Sequence, residues 1–338
     1  MAVRMKDIAE ELGVSLMTVS KALRNHLDVS EATRRRIRQR ARELQYEPNL
    51  IARSLASRRT YLIGLIIPDM MHSFFAEVAK GIGRKLEPLG YQILISNSGE
   101  NAEAELRQLK LLMARSVDGL IIASAAAAKG NPAEAALLNS RKTPYVCIDR
   151  PIRDLKANFV GVKDEEIGAM ATEHLIEEGC RNIAHISGPM NTNGRGRLQG
   201  YRRTLAKHGL RVLPENVVSG AHEDSTGYGA MQKLMKLKRR PDGVVCYNDA
   251  VAIGAIKAIL EAGFNVPRDI AVIGAGDVHY SDLLKVPLST INQNSTGIGE
   301  TAAEILLECM ETKKARAPKC ILFPPRLVVR ESSMRKRR

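Results

Sequence analysis

Tryptophan is absent from the 338 residues, and the aromatic residues together make up only 4%. Cysteine is scarce: Cys147, Cys180, Cys246, Cys309 and Cys320 are odd in number, scattered, and form no CxxC pair or Cys/His cluster. That pattern argues against a disulfide framework and against a structural zinc site. No apolar run approaches the roughly 18–20 residues that span a bilayer. The opening MAVRMKDIAEELGV lacks the apolar segment of a signal peptide. The expectation is a cytoplasmic protein with no membrane partner. Also missing are a G-x-G-x-x-G after a strand, a Walker loop, a G-x-S-x-G and a metal-spaced His/Asp set. Gly81-Ile82-Gly83 falls inside a helical stretch and is weak as a motif. Seven histidines (His26, His72, His174, His185, His208, His222 and His279) are dispersed, and nearly all read as ordinary surface or core residues. No enzyme, no cofactor and no metal site is expected.

What the chain has is positive charge. It carries 51 Lys+Arg against 37 Asp+Glu, a net +14. Such an excess points to a polyanion, most simply nucleic acid. Residues 1–60 hold 13 basic and 7 acidic residues, a net +6, so the first sixth carries nearly half of it. The length suits two or three domains.

The chain changes character near residue 60. Before it, every signal is helical. Ile8, Ala9 and Leu12 repeat at helical spacing and Gly13 stops that helix; Val19, Ala22 and Leu23 mark a second. Ser30 is the expected N-cap of a third, with Ile37, Ala41 and Leu44 inward and Pro48 as its stop. After Tyr61, short Val/Ile/Leu runs alternate with amphipathic stretches: LIGLII (62–67), YQILIS (91–96), GLIIAS (119–124) and YVCID (145–149). A second series starts near Asn158 with FVGV, then IAHISG (183–188), GVVCYND (243–249) and IAVIGAG (270–276). Near-continuous apolar strands between helices predict parallel sheets covered on both faces. The expected fold is an all-α helix-turn-helix head on an α/β body of two doubly wound lobes, with a ligand cleft beyond the strands' carboxyl ends.

KDIAEELGVSLMTVSKALR (6–24) has helix-turn-helix spacing: a small Ala9 at the helix crossing, Gly13 at the tight turn and Val19 facing inward. The second helix would enter the major groove. With DVSEATRRRI, YEPNLIARSL, GLIIPDMMHSFF, IDRP, GPMNTNGRGRLQGY, CYNDAVAIGAI, DIAVIGAGD and STINQN in order, the chain resembles the lactose-repressor/galactose-repressor (LacI/GalR) family of bacterial transcription regulators to about residue 332.

That resemblance implies domains at 1–46 (head), 47–60 (hinge) and 61–332 (effector-binding and dimerisation body), before a basic tail at 333–338. Lobe one would comprise about 61–161 and 294–320, and lobe two about 162–291 and 321–332. It places Leu16, Met17 and Lys21 against bases, the first two by apolar contact and Lys21 as a donor to guanine. Thr18, Ser20 and Arg24 would contact phosphates. The competing reading of Leu16 and Met17 is packing within the head. Asn49 to Ala56 would form the hinge helix, with Ala52 letting two copies approach and Leu55 as a minor-groove wedge. The alternative is a plain linker with Leu55 under the first lobe. Of Arg34, Arg35, Arg36, Arg38, Arg40 and Arg42, most are expected to be solvated and to contribute long-range field.

In the cleft the resemblance points to Asp69, Phe74, Phe75, Asp149, Arg195, Arg197, His222, Asn248, Asp277 and Gln293. Arg197 is favoured over Arg195 and Asn248 over Asp249, which reads as a helix N-cap. One departure stands out. The family commonly has two acidic residues after its VIG-aromatic element; here VIGAGD leaves Gly276 and only Asp277. That disfavours a standard hexose and favours a ligand with fewer hydroxyls or with negative charge. The implied function is a homodimeric repressor of operator DNA, switched by a sugar-like small molecule between the lobes. The rival readings are a periplasmic-type solute-binding protein, which the basic head disfavours, and an enzyme on the same scaffold.

Overall fold

The structure, a computed structural model, describes residues 3–23, 25–47, 54, 59–125, 132–140, 143–152, 155–312 and 317–335. It divides into two compact units, Met1–Thr60 and Tyr61–Arg338.

The first unit holds three helices, α1 (Met5–Leu12), α2 (Leu16–Leu23) and α3 (Glu31–Glu43). Gly13 takes a φ of +63°, and the N–H of Val14 returns to the Ala9 carbonyl at 3.1 Å. This left-handed close is what glycine tolerates without a Cβ clash. Ser15 Oγ caps α2 by accepting from the Thr18 N–H at 3.0 Å, and Ser30 Oγ caps α3 by accepting from Thr33 at 3.3 Å. Ile8, Ala9, Val19, Ala22, Val29, Ile37 and Ala41 form the core. α3 stops earlier than Pro48 suggests. Gln45 adopts a φ of +49° and the Tyr46 N–H bonds the Ala41 carbonyl at 2.8 Å, so a left-handed turn ends the helix. Pro48 lies outside the described residues.

The second unit contains a six-stranded parallel sheet of order β11-β5-β4-β3-β1-β2 and a four-stranded parallel sheet of order β7-β6-β8-β9. The first is built from β1 (Leu62–Ile67), β2 (Gln92–Asn97), β3 (Gly119–Ile122), β4 (Tyr145–Ile148), β5 (Asn158–Val162) and β11 (Cys320–Phe323). The second holds β6 (Ile183–Ser187), β7 (Val217–Ser219), β8 (Gly243–Cys246) and β9 (Ala271–Ile273). β10 (Thr290–Asn292) and β12 (Arg326–Val328) pair antiparallel as a separate ribbon. The helices are α4 (Ser73–Leu86), α5 (Ala102–Ala114), α6 (Pro132–Ser140), α7 (Asp164–Glu177), α8 (Thr192–Lys207), α9 (Asp224–Met235), α10 (Asp249–Glu261) and α11 (Ser295–Glu311). Each sheet has a separate apolar cluster on either face, as its uninterrupted Val/Ile/Leu strands require.

Two expectations change. The second series of strands does not begin at FVGV: β5 lies in the first sheet, between β4 and β11. Residues 321–323 pair with β5 too, so the segment assigned to lobe two from 321 begins with a lobe-one strand. The strand β7 and helix α9 had no clear signature in the sequence.

Three helix pairs meet at reciprocal glycines: Gly81 with Gly299 (α4/α11), Gly168 with Gly200 (α7/α8) and Gly227 with Gly254 (α9/α10). A Cβ on any of these six would overlap a backbone carbonyl oxygen of the opposite helix. Gly81 of the Gly-Ile-Gly run therefore serves helix packing. Among the described residues no helix is long and apolar enough to cross a membrane.

Candidate reading head and effector cleft

Leu16 and Met17, on the first turn of α2, are 51% and 62% exposed, while Val19 and Ala22 on the opposite face are fully buried. Packing within the head does not use them. Two apolar side chains held outward at a helix start suit contact with thymine methyl groups. Thr18 is committed to the cap, its Oγ1 lying 2.8 Å from Ser15 Oγ. Ser20 is half-buried. Lys21 Nζ is bonded to Asp28 Oδ2 at 2.8 Å, and that contact holds the Asp28 carboxyl below its ordinary range. Arg24, Asn49, Ala52 and Leu55 lie outside the described residues.

Three helix-α3 arginines also make specific contacts within the head, although Arg36 remains exposed and Arg34, Arg38 and Arg40 are half-buried. Arg34 Nη2 donates to the carbonyls of Val29 (2.9 Å) and His26 (3.3 Å), and Arg36 Nη2 donates to the Leu12 carbonyl (2.6 Å). Arg40 pairs with Glu11 and Glu43. Arg35 and Arg42 stay exposed.

In the second unit, a narrow cleft opens beyond the carboxyl ends of both sheets. Seven of the ten expected residues line it: Asp69, Phe74, Phe75, Asp149, Arg197, His222 and Gln293. Arg197 is buried, and each of its three guanidinium nitrogens makes a hydrogen bond. Nε donates to Asp164 Oδ1 (2.9 Å), Nη1 to the Tyr247 carbonyl (2.6 Å) and Nη2 to Gln293 Oε1 (3.0 Å). Asp149 has a φ of +59°, an unusual value for a non-glycine residue and one that concentrates at functional sites. It accepts from Asn193 Nδ2 at 2.8 Å, which links the first lobe to α8 of the second.

The other three expected residues are not among those lining it. Arg195 is exposed. Asp277 is held by Arg330 Nη2 (2.9 Å) and Asn292 Nδ2 (2.7 Å), tying the crossover segments together. Asn248, not Asp249, is the N-cap of α10: its Oδ1 accepts from the Val251 N–H at 2.9 Å. Asp249 is buried, accepts from Thr290 Oγ1 and the Val278 N–H, and is pushed up to about 6 by burial.

Comparison with known proteins follows this division. Residues 4–49 match the family "Bacterial regulatory proteins, lacI family", and residues 172–333 match "Periplasmic binding protein-like domain". The chain is 33% identical over 333 residues to the HTH-type transcriptional repressor PurR of Glaesserella parasuis, covering 97% of each chain. It is 33% identical over 304 residues to the ribose operon repressor of Escherichia coli K12, covering 90% of this chain and 92% of that one. The chain belongs to the LacI/GalR family. Among solved structures, the lac repressor dimer bound to operator and the anti-inducer ONPF superposes with a TM-score of 0.84 at 26% identity, covering 99% of this chain and 100% of that one.

His72, Glu100, Arg150, Asn193 and Tyr247 also line the cleft and were not singled out from the sequence. Arg150 is buried and bidentate to Glu100 at 2.7 and 2.9 Å. The signal that could have found these residues is positional: most follow the carboxyl end of a parallel strand within a few residues. Gly276 also gains a reason. A Cβ there would come within 3.1 Å of Asp249 Oδ2, so the first of the two acids common in the family would crowd a buried carboxylate.

Proposed function

We propose that this chain is a cytoplasmic homodimeric repressor whose operator affinity is set by a small, sugar-like molecule bound between the lobes. The observation that carries the reading is the pairing of an outward Leu16/Met17 edge on α2 with the family match over residues 4–49. In a dimer, two such edges would read half-sites of a near-palindromic operator. Thr18 and Ser20 sit beside the edge, where phosphates would pass. Lys21 reaches a base only by leaving Asp28. The hinge at Asn49–Ala56 would transmit closure of the cleft, with Ala52 and Leu55 at its centre. Effector contacts fall to the seven predicted residues that line the cleft.

The solute-binding alternative accounts for the match over 172–333 but not for the one over 4–49. The relatives are named as repressors, which supports a regulator rather than an enzyme. The test is fluorescence anisotropy against duplexes selected from a random pool, at two salt concentrations. A repressor gives a selected duplex bound far more tightly than random DNA, with steep salt dependence. Failure to enrich any sequence would remove the proposal.

A further inference from the structure

Asn248 bridges the two lobes at one atom. Its side-chain orientation is fixed by backbone groups: Oδ1 accepts from the Val251 N–H at 2.9 Å and Nδ2 donates to the His222 carbonyl at 2.9 Å. Reversing the amide would set oxygen against oxygen and N–H against N–H. The second hydrogen of Nδ2 points to His72 Nε2, 3.0 Å away. His72 precedes α4 in the first lobe; Asn248 follows β8 in the second.

A nitrogen that accepts a hydrogen bond carries no proton. A neutral imidazole has one N–H, so in His72 it sits on Nδ1. Burial keeps the ring neutral, lowering it to about 4; nearby Arg197, Arg150 and His222 act in the same direction and Asp69 opposes them. His72 Nδ1 is buried and has no partner among the described residues, although His72 lines the cleft. A buried N–H without an acceptor costs free energy that a ligand acceptor would recover.

The charges, by contrast, are already matched. Arg150 faces Glu100 and Asp149, and Arg197 faces Asp164. Asp69 adds a further carboxylate beside His222. Among the described residues lining the cleft, each arginine already faces a carboxylate, contrary to the expectation drawn from Arg195 and Arg197.

We propose that His72 is a specificity-determining residue of the cleft, a neutral Nδ1–H donor to an acceptor oxygen or nitrogen of an uncharged ligand, with Asn248 as the positioning residue that sets its tautomer. This rests on the cleft being the effector site. It also couples binding to closure. The ligand acceptor and the Asn248 donor hold opposite ends of one ring, and each favours the tautomer the other needs.

The test uses full-length protein labelled with ¹⁵N-histidine, with His72 assigned by its loss in His72→Gln. At pH 7 the His72 signals should show Nδ1 protonated and Nε2 bare. Asn248→Ser, which keeps a capping hydroxyl on α10, should mix the two tautomers. A thermal-shift and titration panel pairs D-ribose, D-glucose and adenosine with D-ribose 5-phosphate, D-glucose 6-phosphate and adenosine 5′-phosphate. An uncharged member should bind at least tenfold tighter than its phosphate, and His72→Phe should weaken it at least tenfold. A charged or Nε2–H imidazole, a phosphate ester that wins, or a His72→Phe that binds normally overturns the proposal. No shift with any of the six removes the sensing reading beneath it, a result distinct from the other three.

Discussion

Asp164 and Arg197 form a buried ion pair at 2.9 Å, the carboxylate at the start of α7 and the guanidinium on α8. Arg197 also ties the Tyr247 carbonyl and Gln293, so one side chain joins the second sheet's edge to the crossover. From the sequence, Arg197→Ala should abolish the ligand response and spare DNA binding. The geometry adds a cost to the body itself. Removing the guanidinium strands a buried carboxylate, which typically costs about 3–5 kcal/mol. Denaturant unfolding should show that loss, and Asp164→Asn added to Arg197→Ala should recover part of it. A single Arg197→Ala variant as stable as wild type would show the pair to be dispensable.

The two-sheet architecture was legible because parallel strands buried on both faces leave an unbroken apolar trace, as in LIGLII and GVVC. The head was legible because Gly13 marks the tight turn and the apolar residues of each helix, such as Ile8/Leu12, Val19/Leu23 and Ile37/Ala41, obey helical spacing. Less was visible where function depends on partners far apart in the chain. Arg197 looked available until Asp164 and Gln293 were seen to hold it. Asn248 looked like a ligand contact because its neighbour Asp249 is an equally good cap by composition, and only packing against Thr290 and Val278 decides between them. The second lobe's boundary was misread at residue 321 because a strand four residues long carries no mark of which sheet it joins.

The two carboxyl groups of Glu105 and Glu134 make a pH-dependent core in lobe one. Glu105 accepts from Ser124 Oγ and the Ala125 N–H, each at 2.7 Å. Glu134, fully buried on α6, is pushed up to about 8 by burial and by the Glu105 charge. Its folded value lies above its ordinary 4.5, so the associated stability is present below that value and is lost as pH rises towards 8. His72 and His185 work the other way. Both are lowered to about 4, so their contribution is complete above 6.5 and is lost as pH falls through 4. Between pH 6.5 and 8 the Glu134 effect stands apart from these. Stability should fall there by ~2 kcal/mol, at roughly 1.4 kcal/mol per pH unit for one proton. Unfolding curves of Glu134→Gln should be flat over the same window; an unchanged slope would assign it to another group.

Glycine at the α4/α11 contact sets how closely those helices pack. Gly81→Ala drives a methyl into the Thr296 carbonyl. Although alanine favours a helix by up to ~1 kcal/mol over glycine, overpacking against backbone costs about 1–3 kcal/mol. The net expectation is a lower melting temperature. Gly229→Ala, where a Cβ meets nothing within 4 Å, is the matched control and should be neutral or stabilising. Equal behaviour of the two variants would mean that the helices separate at no cost.

Sequence reading by the head and bending by the hinge can be separated by comparing two apolar truncations. Met17 is exposed at the start of α2, and its loss leaves the head's core intact. Met17→Ala should therefore weaken the selected duplex by about 1–3 kcal/mol, the cost of one good base contact. Binding to random DNA, which rests on phosphate charge, should hardly move. Leu55→Ala should likewise weaken the selected duplex more than random DNA, and it should also reduce the bend measured by energy transfer between labelled duplex ends. The two variants thus differ in the bend and agree in the loss of preference. Equal losses on both duplexes for Leu55→Ala would remove the wedge, and for Met17→Ala would return that side chain to general packing.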